Sequence, residues 1–133
     1  MTDLRRGAAI VGVHEHPARY APDKSELQIQ GESAIKALEE AGLGKADVDA
    51  LFAASMGVRM SGLALADYLD MYPRYVDNTT VGGSSFEFHM AHALSGIATG
   101  RINCALITYG SVSRSGGVAV GTGGIARMGH PVL

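Results

Sequence analysis

The sequence predicts an α/β fold in which a mostly parallel sheet carries helices packed on it. Three observations predict it. Short runs that favour extended structure recur along the chain at Ala8–Val13, Val48–Ala54, Arg74–Val81 and Asn103–Tyr109. Between them lie stretches with helical periodicity, bounded by caps and glycines. Each pair of neighbouring runs is thus joined by a helix, the connection that lets strands run parallel in one sheet. The resulting order is β-α-β-α-β-α-β.

The elements follow in turn. Ala8-Ala9-Ile10-Val11-Gly12-Val13 is short and continuously apolar, as suits a strand buried on both faces. The polar stretch His14–Asp23, with two prolines, reads as a loop. Ser25-Glu26-Leu27-Gln28 has the spacing of a capping box, which satisfies free N–H groups at a helix start. The helix that follows places Leu27, Gly31, Ala34, Ile35, Leu38 and Ala41 on one face, and Gly42 and Gly44 stop it. The second strand, Val48–Ala54, has Asp47 and Asp49 at its start. Ser61–Met71 predicts a short helix that Pro73 prevents from running on. The third strand, Arg74–Val81, is rich in residues that favour extended structure. Ser84–Thr99 is the strongest helix, with Phe88, Ala91, Leu94, Ser95 and Ala98 as its apolar face, and Gly100 closes it. Asn103–Tyr109 completes the set. Residues 1–109 therefore read as one α/β domain, and 110–133 as a glycine-rich tail that needs something else to pack against.

Composition excludes several classes of function. At 133 residues, 47% hydrophobic and 18% charged, the chain can build a single core and is not disordered. A net charge of −2 with no run of Lys or Arg argues against a nucleic-acid binder. A single cysteine permits no internal disulfide, and no apolar stretch is long enough to span a bilayer. These features together predict a cytoplasmic protein.

Few residues carry candidate chemistry. Ser84 and Ser85 open a helix directly after a strand and two glycines, a place where backbone N–H groups stabilise negative charge. Ser84-Ser85-Phe86-Glu87 also has the spacing of a capping box, and an N-cap serine spends its oxygen on a backbone N–H. By local spacing alone Ser84 reads as that cap. His89 and His92 stand i, i+3 on the same helix, but no further ligands lie nearby to complete a metal site, so no metal is expected. Cys104 lies within a strand run, with neither a helix N-terminus nor a cation beside it, and reads as a packing residue. The glycine-rich segment matches neither dinucleotide nor phosphate-loop spacing.

Four pieces taken together resemble the N-terminal part of a thiolase-superfamily subunit, of the lipid-transfer-protein or sterol-carrier-protein type. They are AAIVGV, ALEEAGLGKADVDALF, VGGSSFEFHMAHALSGIATGRINCALITYGS and the glycine-rich continuation. The resemblance implies an acyl-CoA-processing enzyme that makes or breaks a carbon–carbon bond beside a coenzyme A thioester, with that thioester as substrate and no permanently bound cofactor. In the family a nucleophilic cysteine stands at the N-terminus of the third helix. Counting back from Ala98-Thr99-Gly100, its place falls on Gly83, with Thr80, Ser84 and Ser85 the nearest hydroxyls. A hydroxyl would need an adjacent base to act in its stead. Gly129-His130-Pro131 copies the family's Gly-His-Pro motif, whose histidine helps to form an oxyanion hole in a second, similar half; here it comes early.

Members of this type that lack the cysteine act as retro-aldolases on coenzyme A thioesters. They work with a zinc-ribbon/OB-fold partner and use a later tyrosine that maps onto none of Tyr68, Tyr72, Tyr75 or Tyr109. The resemblance also implies a homodimer through Arg74–Thr80. The alternative expectation is a non-catalytic thiolase-like subunit, or a truncated domain, that acts as an assembly partner.

Overall fold

The structure, a computed structural model, describes residues 4–55 and 57–115. Three strands, β1 (Ala50–Ala53), β2 (Tyr75–Asp77) and β3 (Ala105–Thr108), form one sheet in the order β2-β1-β3. Both pairings are parallel, with Leu51 opposite Val76 on one side and Leu106 on the other. The helices are α1 (Glu26–Ala41), α2 (Ser61–Tyr68) and α3 (Ser85–Ala98).

Side-chain alternation along β1 divides the core in two. Leu51 joins Ala34 and Leu38 of α1, Leu65 and Ala66 of α2 and Leu106 of β3 beneath the first two helices. Ala50 and Phe52 point the other way and pack with Ala93 of α3 and with Ile102. The sheet is thus sandwiched between α1 and α2 on one face and α3 on the other. Phe52 is fully buried, worth about 2–3 kcal/mol of hydrophobic stabilisation.

The first helix forms for the reasons the sequence gives. Ser25 accepts from the Gln28 backbone N–H, Gln28 accepts from that of Ser25, and Gly42 closes the helix at φ 70°. The second helix ends at Tyr68, short of the expected Met71, because Asp70 turns into the left-handed region at φ 52°.

Two expectations are corrected. Ala8–Val13 forms no strand, since an apolar extended run becomes one only where a neighbour completes its hydrogen bonds. This run instead crosses the ends of two helices. Gly7 lies against Leu94 and Ala98, and Gly12 lies so close to α1 that a Cβ would fall 2.2 Å from the Ala37 carbonyl oxygen. Val13 donates its N–H to Glu40 at 2.8 Å, and Ile10, Val11 and Val13 are mostly exposed. The second correction concerns α3, whose buried stripe is Ser85, His89 and Ala93. Phe88 and Ala91, expected in the core, are exposed. The buried stripe includes the polar Ser85 and His89, so hydrophobic periodicity picks the wrong face of the helix.

Candidate functional site

The amino end of the sheet is tied down by one side chain. Asp49 accepts the N–H groups of Asn103 and Cys104, each at 3.0 Å, the Asn103 side-chain amide at 3.1 Å, and an Arg74 guanidinium N–H at 2.8 Å. Its own carbonyl accepts the Tyr75 N–H. Burial alone would raise the Asp49 pKa, but these hydrogen bonds outweigh it and hold the carboxyl below its ordinary value. Asp49 thereby joins the starts of all three strands, and it leaves no lone pair for chemistry.

The carboxyl end is built differently. In parallel sheets this is the end at which ligands bind. After β2 the chain passes through Asn78–Ser84 before entering α3, and α3 side chains hold the passage in place. Ser85, fully buried, donates from Oγ to the Gly82 carbonyl at 2.6 Å and accepts the Val81 N–H at 3.0 Å. His89, also fully buried, hydrogen-bonds through Nε2 to the Thr79 carbonyl at 3.0 Å. A carbonyl can only accept, so Nε2 carries the proton. The Phe52 and Phe86 rings flank this imidazole.

Asp77 is buried at the end of β2 and takes the Thr79 N–H at 2.7 Å and His92 Nδ1 at 2.6 Å. Its burial would raise the pKa, but the bonds from Thr79 and His92 prevail and lower it. Thus Ser85, His89 and His92, on successive turns of α3, all brace the segment between Asp77 and Gly83.

Within this brace the turn itself is open. Gly82 adopts φ 81°, and a Cβ added at Gly83 would meet nothing within 4 Å. The structure therefore leaves clear space at the position where the resemblance puts the family's nucleophile. Ser84 is exposed beside it and makes no side-chain capping bond, contrary to the expected capping box. It sits at φ −76°, ψ 0°, in the helical rather than the extended region from which capping side chains reach back. Its hydroxyl is accessible, whereas that of Ser85 is committed to the turn. His130 lies outside the described residues.

A cleft of about 220 Å³ opens beside the turn, lined by Ser55, Val58, Arg59, Met60, Asn78 and Thr80. Asn78 holds its wall by accepting the Gly62 N–H at 2.6 Å, and Ser55 holds the floor by donating to Glu26. A larger groove of about 590 Å³ lies between the His14–Pro17 loop, α1 and α2. We place the site at the smaller cleft, because it adjoins the carboxyl ends of β1 and β2 and the open turn. The larger groove lies on the outer helical layer.

Sequence reading missed the Asp77–His92 pair and the complete burial of His89. The spacing of the two histidines was visible, but their partners come from a different element. Among the described residues no three of His, Cys, Asp and Glu stand together to hold a metal. Cys104 directly precedes β3 and is half-buried. Burial raises its thiol pKa, with the Asp49 and Asp47 carboxylates adding to the shift.

No protein-family model and no curated protein matches the chain. Solved structures do. An Ltp2–ChsH2(DUF35) aldolase is 25% identical with a TM-score of 0.71, over 87% of this chain and 31% of that one. A monomeric SCP2-thiolase-like protein type 1 from Mycobacterium smegmatis is 22% identical with a TM-score of 0.64, over 80% of this chain and 24% of that one. Xanthomonas campestris OleA with bound lauric acid and lauroyl-CoA is 19% identical with a TM-score of 0.56, over 64% of this chain and 27% of that one. The chain thus spans 24–31% of the length of these proteins.

Proposed function

We propose that this chain, which has a thiolase-like fold, forms the nucleophile-turn side of an acyl-CoA-processing subunit. Its reaction is acyl transfer or retro-aldol cleavage of a carbon–carbon bond in a coenzyme A thioester, carried out without the usual cysteine. One observation carries this reading: the braced, open turn at Gly82–Ser84, which ends β2 and opens α3 at the carboxyl end of the sheet. The likenesses to an aldolase and to a protein holding lauroyl-CoA support it. Arg59 at the rim of the adjoining cleft supplies a cation for an acidic ligand such as coenzyme A.

The remainder of the site would come from elsewhere. On α3, Phe88 and Met90 are half exposed, although an apolar helix ordinarily has both faces covered. A second, similar half packed on that face would cover them. A zinc-ribbon/OB-fold protein is the further partner this reading implies.

Among the described residues β2 is an edge strand, and its free side invites pairing. Tyr75 donates its N–H towards β1, so alternation points the Val76 N–H to the open edge. Antiparallel pairing of two copies through Arg74–Thr80 would satisfy that edge and form a homodimer. Val76→Pro removes the outward N–H without breaking the β1–β2 ladder, so it should yield a folded monomer. Light scattering behind a sizing column checks this, and a wild-type monomer at micromolar concentration would refute the pairing.

The chemistry is tested at Gly83. Gly83→Cys places a thiol in the open space of the turn. After incubation with an acyl-CoA, intact-mass analysis should show an acyl adduct on the introduced side chain. A folded variant that takes up no acyl group would show that the turn is not the reacting centre. A second reading, a non-catalytic assembly subunit, is favoured by the commitment of the Ser85 hydroxyl to the turn. It predicts acyl-CoA turnover only in a co-purifying partner, unchanged by Ser84→Ala.

A further inference from the structure

Three polar atoms are enclosed between α1 and the sheet. Gln30 is fully buried, and neither its Nε2 nor its Oε1 has a hydrogen-bond partner among the described residues. Thr108 is 7% exposed, and its Oγ1 likewise has none. The two residues belong to one layer. Leu106 of β3 packs beneath α1, and the strand period returns Thr108 and residue 110 to the same face. A Cβ at Gly110 would stand 2.6 Å from Gln30 Cγ, which brings the base of the Gln30 side chain to that end of β3.

The surrounding positions are small. Ala34 lies one turn along α1 from Gln30, Ala53 follows Leu51 on the α1 face of β1, and Gly110 has no side chain. An unpaired amide and hydroxyl in a packed interior are costly, and no direct hydrogen bond joins Gln30 to Thr108. Together the two side chains offer donors and acceptors to one small molecule that can do both. Water fits: a buried water ordinarily makes two to four hydrogen bonds, and roughly three partners are available here.

We propose that a single buried water bridges Gln30 to Thr108 and ties the first half of α1 to the carboxyl end of β3. The bridge fixes the register of α1 against the sheet. It thereby steadies Glu26, one turn earlier, whose carboxylate holds Ser55 in the floor of the cleft.

Water-selective nuclear Overhauser spectra of the full chain test the proposal. Long-lived water contacts are expected at the Gln30 amide protons and the Thr108 methyl. Contacts from the amide protons to a protein backbone proton in place of water would overturn it, as would no contact at all. Urea unfolding gives a second readout. Gln30→Leu and Thr108→Val should each raise the unfolding constant roughly five- to tenfold, as for loss of a buried hydrogen-bond partner. The double variant should cost less than the product of the two, since the water leaves once either anchor is gone. A Gln30→Leu protein more stable than wild type would show that the amide is merely unsatisfied. If neither variant folds, the water contacts in the wild-type spectrum decide.

Discussion

The two ends of the sheet are built to opposite rules. At the amino end Asp49 accepts four hydrogen bonds through its carboxylate, from two backbone N–H groups, one side-chain amide and one guanidinium, and nothing there is left open. At the carboxyl end, side chains of α3 brace a turn whose tip stays empty, and a cleft adjoins it. The first end is a clamp, in which a charge is used up on structure. The second is a frame, in which polar groups are used up so that a glycine and an exposed serine can remain free. The contrast shows why a list of polar residues does not locate a site: Asp49, Ser85 and His89 are all polar, and all are committed.

The largest effect should come from breaking the clamp. Asp49→Asn keeps the shape but loses the charge and turns one of the two acceptor oxygens into a donor, and it should cost about 2–3 kcal/mol by urea unfolding at neutral pH. The cost should depend on pH. The folded pKa of Asp49 lies below the unfolded value, so its contribution is present above about pH 4 and is lost as the pH falls through the folded value. Wild type and variant should therefore converge on acidification. A difference that stays constant down to the lowest pH at which both fold would show that the charge is not what holds the strand starts together.

Next is the frame. Ser85→Ala strips the turn of one donor and one acceptor, leaving the Val81 N–H without its partner and the Gly82 carbonyl with only the Ser85 backbone N–H. A loss of about 1–2 kcal/mol is expected. Hydrogen exchange should quicken at Val81 while the Asp49-bound amides of Asn103 and Cys104 keep their protection. Uniform loss of protection at both ends would mean that the ends are not independent, and the comparison would fail.

Cys104 reports on the clamp without a substitution. It is half-buried, and burial and the nearby carboxylates raise its pKa, so its native reaction with a thiol reagent should be roughly tenfold or more slower than in the urea-unfolded chain. Equal rates in the two states would contradict the protection ascribed to the start of β3. In Asp49→Asn the native rate should rise, since loss of the neighbouring charge favours the thiolate.

Much of the fold was legible in the sequence because the relevant signals are local. The Ser25–Gln28 box, the Gly42 stop and the alternation of the last three strand runs with helices all act within a few residues, and each reappears in the structure. What was not legible depends on partners distant in sequence. Ala8–Val13 has the composition of a strand but finds no ladder among the described residues. The sheet-facing side of α3 was obscured because its true stripe carries the polar Ser85 and His89, whereas Phe88 and Ala91 on the exposed side are apolar. His89 and His92 could be paired with nothing until the fold brought Thr79 and Asp77 beneath them. Asp49 was visible at the head of a strand, but its four donors come from residues 25 to 55 positions away.

The smallest effect is expected at Ser84, and it separates sequence logic from structure most directly. The S-x-x-E spacing predicts an N-cap worth about 1 kcal/mol. In the structure the Ser84 hydroxyl makes no capping bond, and Ser85 engages the turn instead. Ser84→Ala should therefore change stability by less than about 0.5 kcal/mol, as at an ordinary surface position. Ser84→Asp gains no capping bond in this backbone geometry, though its charge lies near the helix N-terminus, where about 0.3–1 kcal/mol of stabilisation is usual. The two substitutions then differ in sign, which urea midpoints measured at low and high salt resolve, because salt screens the dipole effect and leaves a capping bond intact. If Ser84→Ala costs a full kcal/mol at both salt concentrations, Ser84 is the cap after all. Its hydroxyl is then committed like that of Ser85, and the open turn loses its free hydroxyl.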